Sequence, residues 1–136
     1  MPRIVGVNAV GALLASIVMF IVGFVFYGLL FGDVFMQARG FSVEEFEGNS
    51  PAWMGAGFLI ELVAAIGIGW VIKAKGSKGL VPCLTTGLML AVLVALPMLA
   101  YDFAYGWRHD VAGLFVDWGH ALAAFAAGGV VLSFFD

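Results

Sequence analysis

A four-helix transmembrane bundle, all-α, is the fold predicted for this 136-residue chain, and three observations predict it. Four long apolar runs, 4–31, 52–72, 80–101 and 111–135, take up most of the length. A hydrocarbon core about 30 Å thick needs roughly 20 helical residues to cross it, so each run is long enough to span. The composition agrees, at 63% hydrophobic and 11% charged with a mean hydropathy of +1.09. Finally, most charged residues fall in the links between the runs. Residues 1–136 read as a single integral membrane domain, with no room left for a separate soluble catalytic domain.

The first run is preceded by Arg3 alone and is too long for a signal-peptide core, so it reads as a retained first helix. Asn8 falls in its first turns, where it is expected to bond to a neighbouring helix or to line an access path. The link 32–51 is the longest. In it Ser42 and Glu45 have capping-box spacing, flanked by Phe41 and Phe46 as a hydrophobic staple, which predicts a short surface helix. Ser50-Pro51 reads as the N-cap and first residue of the second span. Gly76 is placed to end that span, Pro82 fits the first turn of the third, and Asp110 caps the fourth. Pro97, inside the third span, removes a backbone donor and predicts a kink. The lone Cys83 excludes an internal disulfide and a cysteine metal cluster, and reads as a small packed residue.

Orientation follows from charge. Lys73, Lys75 and Lys78 share one short link, and the positive-inside rule makes that link cytoplasmic, together with both termini. The other two links carry Asp33, Arg39, Glu44, Glu45 and Glu47, then Arg108, His109 and Asp110, and are expected outside. His109 there reads as solvated. Tyr27, Phe31, Trp53, Tyr101, Tyr105 and Trp107 cluster at the outer ends as an aromatic belt, with Trp70 near the inner face.

Spans two and four share a pattern. Residues 56–62, AGFLIEL, match residues 112–118, AGLFVDW, type for type, and Glu61 aligns with Asp117. Duplicated hairpins related by a pseudo-twofold axis along the membrane normal would put both acids near a common axis. Glu61 sits about 13 Å, and Asp117 about 9 Å, below the outer ends of their spans at 1.5 Å per residue. His120 follows Asp117 at i+3, on the same helix face. Ionisable groups in hydrocarbon are expensive and turn toward the bundle interior. Gly57, Ala64 and Ala65 around Glu61, and Gly113, Ala121, Ala124 and Gly128 around Asp117, make close helix contact possible there.

Three readings of Glu61, Asp117 and His120 are open. They form a hydrogen-bonded packing lock, including a possible Asp117–His120 pair; a proton or cation site in a small transporter or channel; or a transition-metal site. Asp102, at the outer end of span three, is a secondary polar candidate that reads mainly as a solvated acid. No phosphate loop, nucleophile elbow or paired-histidine motif is present, so no catalytic residue is assigned and a non-enzymatic role is expected. The few basic residues do not support nucleic-acid binding. Which cofactor or metal, if any, the protein takes is left open by the sequence. The partners expected are the lipid bilayer and either further copies of the chain or a membrane-complex partner.

The 27–32 segment YGLLFG, the 51–57 entrance to span two and the 116–122 segment VDWGHAL resemble the small four-span bacterial membrane proteins labelled domain of unknown function 1761. The resemblance implies the four-span topology and a bacterial inner membrane, and brings no activity with it. Compared with that family, a Ser-Pro step after the tyrosine is missing, Phe35 replaces a tryptophan, and His120 stands where an aromatic residue, usually tyrosine, is typical. The leading expectation is a protein that binds or transports a small solute or cation. The alternative is an accessory or scaffold subunit of a larger membrane complex.

Overall fold

The computed structural model describes residues 2–40, 51–106 and 108–135. The chain does not enter its first helix at Ile4. Arg3–Ile4 (β1) and Val7–Asn8 (β2) pair antiparallel, Arg3 opposite Asn8 and Ile4 opposite Val7. The turn between them has φ of 53° at Val5 and 82° at Gly6. A β-branched residue at positive φ is a genuine outlier, so the tip needs support from elsewhere. It receives that support from the bundle. Lys73 Nζ and an Arg3 guanidinium nitrogen donate to the Gly6 carbonyl at 2.8 and 2.9 Å, and Val7 is buried against Gly69.

The first span is α1, Ala9–Phe24, which runs on through a π-helical turn, Val25–Leu30. Asn8 is its N-cap, accepting from Gly11 N at 3.1 Å. The expected bond from Asn8 to another helix is therefore replaced by a local cap, since its carbonyl oxygen sits where an unpaired first-turn amide needs it. Next comes α2, Gly32–Arg39, closed by Gly40 at φ 77°. A helix in this link was expected at the Ser42–Glu45 box, which lies outside the described residues; the described one precedes it.

The second span is α3, Pro51–Lys75, starting at the proline as expected. Gly76, at φ 69°, ends it. Gly76 N donates to Lys73 O at 3.1 Å and Ser77 N to Ile72 O at 3.0 Å, the paired bonds of a Schellman cap. The third span is α4, Leu80–Leu90, then a π-helical turn, Ala91–Ala95, then α5, Leu96–Tyr105. The wider turn lies just before Pro97, and Leu96 N reaches back five residues to Ala91 O. A π-turn is one of the standard causes of a helix bend, and here it lets the helix continue past the proline. The fourth span is α6, Val111–Leu132, capped by Asp110, whose carboxylate accepts from Gly113 N at 3.2 Å.

The four spans run up and down, so the β1–β2 hairpin, the end of α3, the start of α4 and the end of α6 meet at one end. This is the lysine end; the opposite end carries α2 and the acids. α1 packs between α3 and α6, and α6 also packs closely on α4. A strict hairpin repeat would match the α1–α6 contact with an equally extensive α3–α4 contact, which is much slighter. The two helix pairs are therefore not equivalent, although their matched acids do converge.

Small residues set the helix spacing. A Cβ on Gly129 would run into Cys83 O, and one on Gly87 into Phe125 O, so α4 and α6 touch backbone to backbone. Met19, Ile68, Ala12, Ala15, Ala65 and Ala124 fill the centre, and Cys83 is buried there as a free thiol. Leu13, Ile21, Leu59, Val63, Leu93 and Phe115 point outward, as lipid-facing positions should. Among the described residues, four helices are thus long and apolar enough to cross a membrane.

Candidate functional site

At the acidic end the chain leaves a cavity of about 720 Å³ among α1, α2, α3 and α6. Glu61, Asp117 and His120 all line it, so the three residues singled out in the sequence do meet. Tyr27 and Arg39, which the sequence reading placed in a belt and a link, line it too. Phe20, Phe24, Phe35 and Trp53 supply much of the apolar wall.

The two acids have different surroundings. Tyr27, carried by the π-helical turn, donates its hydroxyl to Asp117 Oδ1 at 2.5 Å. Arg39, from the end of α2, donates to Asp117 Oδ2 at 3.3 Å. Both carboxylate oxygens are thus occupied, and the Asp117 side chain is only 16% exposed. No Asp117–His120 hydrogen bond forms among the described residues; the i+3 spacing puts the two on one face, and Tyr27 reaches the carboxylate instead. The remaining charge of Arg39 faces Asp102 at 3.9 Å and lies over the Phe35 ring at 5.5 Å. Asp102, its side chain 74% exposed, pairs with Arg39 and lines with Arg39 and Asp117 a smaller neighbouring cavity.

Glu61 has no hydrogen bond or ion pair among the described residues, although it lies ten residues into α3. His120 Nε2 is buried and likewise lacks a hydrogen-bond partner. Its ring sits 5.0 Å from that of Tyr27 and 5.9 Å from that of Phe26, centroid to centroid, with Nε2 against Gly23. A side chain on Gly23 would crowd that nitrogen, so the bare glycine lets the imidazole pack close against α1. Trp118 turns away and donates to Leu96 O at 3.1 Å, fastening α6 to α5 just past the π-turn. Among the described residues no group of three His, Cys, Asp or Glu side chains is arranged to hold a metal ion.

The arrangement thus combines one satisfied acid, which ties α1, α2 and α6 together, with one unsatisfied acid and one unsatisfied imidazole. Asn8 takes no part, being at the opposite end. His109 is exposed, within 3.3 Å of Ala104 O, and does not reach the site.

Residues 10–133 match the profile of a family described as protein of unknown function, DUF1761. The chain belongs to this family. The match covers the four spans, Ala9 apart, and every residue lining the cavity. No curated protein and no solved structure matches the chain.

Proposed function

We propose that the protein binds a small, positively charged organic solute within the membrane, in the cavity at the acidic end. The observation that carries this reading is that Glu61 and His120 line one aromatic cavity, while the Glu61 carboxylate and His120 Nε2 have no hydrogen-bond partner among the described residues. A carboxylate kept in hydrocarbon without a partner is costly, and such residues mark solute and ion pathways. The volume suits a small organic molecule better than a bare ion. Aromatic rings attract a cation through their faces, and Glu61 balances its charge, because Arg39 already neutralises Asp117. The His120 ring, on the same lining, gives the solute a second polar neighbour. The cavity is partly open at the side, and a second copy of the chain or a partner subunit would wall it off. Transport would follow if that wall moves.

Trp53 on the lining provides a fluorescent reporter. The purified protein is titrated with methylammonium, trimethylammonium and tetramethylammonium. A saturable fluorescence change is expected in the wild type, weakened at least tenfold in Glu61→Gln, whose fold has no bond to lose. Equal binding by Glu61→Gln, or no binding of any of the three, would falsify the reading. In that case the polar residues act in helix packing, as an accessory subunit would use them.

A further inference from the structure

The lysine end holds a second cavity, of about 500 Å³, between the β1–β2 hairpin, the end of α3, the start of α4 and the end of α6. Arg3, Lys73 and Lys78 line it, and no carboxylate of a described residue does; Asp136 lies outside the described residues. Arg3 and Lys73 do not point away from each other into water. Both donate to the same Gly6 carbonyl, so two full positive charges are held side by side around one partial negative charge. Lys78 makes no bond to any described residue.

Helix-end chemistry adds to the positive field. Gly79 caps α4 without a side chain, and the first amides of that helix, at Leu80 and Val81, have no acceptor among the described residues. Lysines at the end of α3 also complement that helix's own dipole, which is the bland account of Lys73 and Lys75. Neither ammonium stays on its own helix: Lys75 donates across to Thr86 Oγ1 on α4 at 3.3 Å, and Lys73 donates to the Gly6 carbonyl of the hairpin. The strained Val5-Gly6 tip is what presents that carbonyl, and with it the pair of charges. Val7, Ile72, Leu132 and Phe135 line the same space with apolar surface.

We propose that this cavity is a site for the phosphate of an anionic phospholipid headgroup. Arg3, Lys73 and Lys78 would hold the phosphate, and the exposed Leu80, Val81 and Trp70 would lie along the acyl chains. Convergent cations at the end of apolar spans are the form that lipid-headgroup pockets take, and each basic residue near a membrane surface is worth about fivefold in affinity. The site is independent of the cavity at the acidic end.

The test is native mass spectrometry of the purified full chain, titrated with short-chain phosphatidylglycerol or phosphatidylcholine. Phosphatidylglycerol should be retained at lower concentration, and Lys78→Gln should weaken its retention about fivefold while leaving phosphatidylcholine unchanged. Lys78 has no internal bond, so its variant isolates the charge from the fold. Arg3→Gln should lower retention by a similar factor. Equal retention of the two lipids, or unaltered retention in Lys78→Gln, overturns the site. Displacement of phosphatidylglycerol by an equal concentration of inorganic phosphate overturns the lipid as its source.

Discussion

The Tyr27 hydroxyl and the Asp117 carboxylate meet at 2.5 Å although 90 residues separate them, joining the first span to the last. The bond sits under α2 and is shielded on one side by the Phe35 ring, 4.8 Å from that of Tyr27. Tyr27→Phe keeps the ring and removes the donor. It should lower the stability of the detergent-solubilised protein by about 1–2 kcal/mol, the range for a polar contact to a charged group between membrane helices. Reversible unfolding in mixed micelles measures this. An unchanged midpoint would show that the hydroxyl contributes nothing.

Arg39 binds the same carboxylate from the other side, and a double-mutant cycle isolates that contact. Arg39→Gln and Asp117→Asn should each destabilise the protein, and the double variant should do so by less than their sum. The expected coupling is about 0.5–2 kcal/mol, because the arginine is 44% exposed and partly screened. Its contact with the solvated Asp102 should add little, so Asp102→Asn should change stability by under about 0.5 kcal/mol. Strict additivity of Arg39→Gln and Asp117→Asn would remove the ion pair from the account.

Asn8 predicts a different pattern, that of a helix cap. Asn8→Ala should cost about 1 kcal/mol, and Asn8→Asp should retain most of it, because a carboxylate accepts from Gly11 N equally well. Thermal unfolding of the two variants decides this. If alanine and aspartate behave alike, the buried side chain matters for something other than capping.

Glycines divide by their surroundings. Gly129→Ala should destabilise strongly, by about 3 kcal/mol or more, since its Cβ meets the Cys83 carbonyl and neither backbone can move without opening α4 from α6. Gly67→Ala has nothing within 4 Å to meet, and should be neutral or stabilise by up to about 1 kcal/mol through helix propensity. Similar stabilities for both variants would refute the backbone contact.

The spans were legible because length and hydropathy are all that crossing a bilayer demands. Caps at Asp110 and Gly76 were legible because their chemistry is local. The start of the first span was not, since Ile4 and Val5 are as apolar as the helix that follows and only the turn at Val5-Gly6 separates them. Glu61, Asp117 and His120 could be picked out because polar groups are rare in hydrocarbon. Tyr27 and Arg39 were missed for the opposite reason: a tyrosine at a span end and an arginine in a link are ordinary there. One signal did point to the pair Tyr27 and Asp117. Both lie in the short segments, 27–32 and 116–122, that carry the family resemblance, and the fold brings those two segments into contact.

The long reach from Tyr27 to Asp117 has a consequence for how the protein is made. A ribosome adding about 5–20 residues per second takes roughly 5–20 s to synthesise the stretch between the two. Throughout that interval Tyr27 waits for an acid that does not yet exist, and once made, Arg39 waits too and α2 has no α6 to lie against. The cavity at the acidic end is therefore a product of the final span's arrival. Until then the growing chain is a set of inserted helices without that cavity.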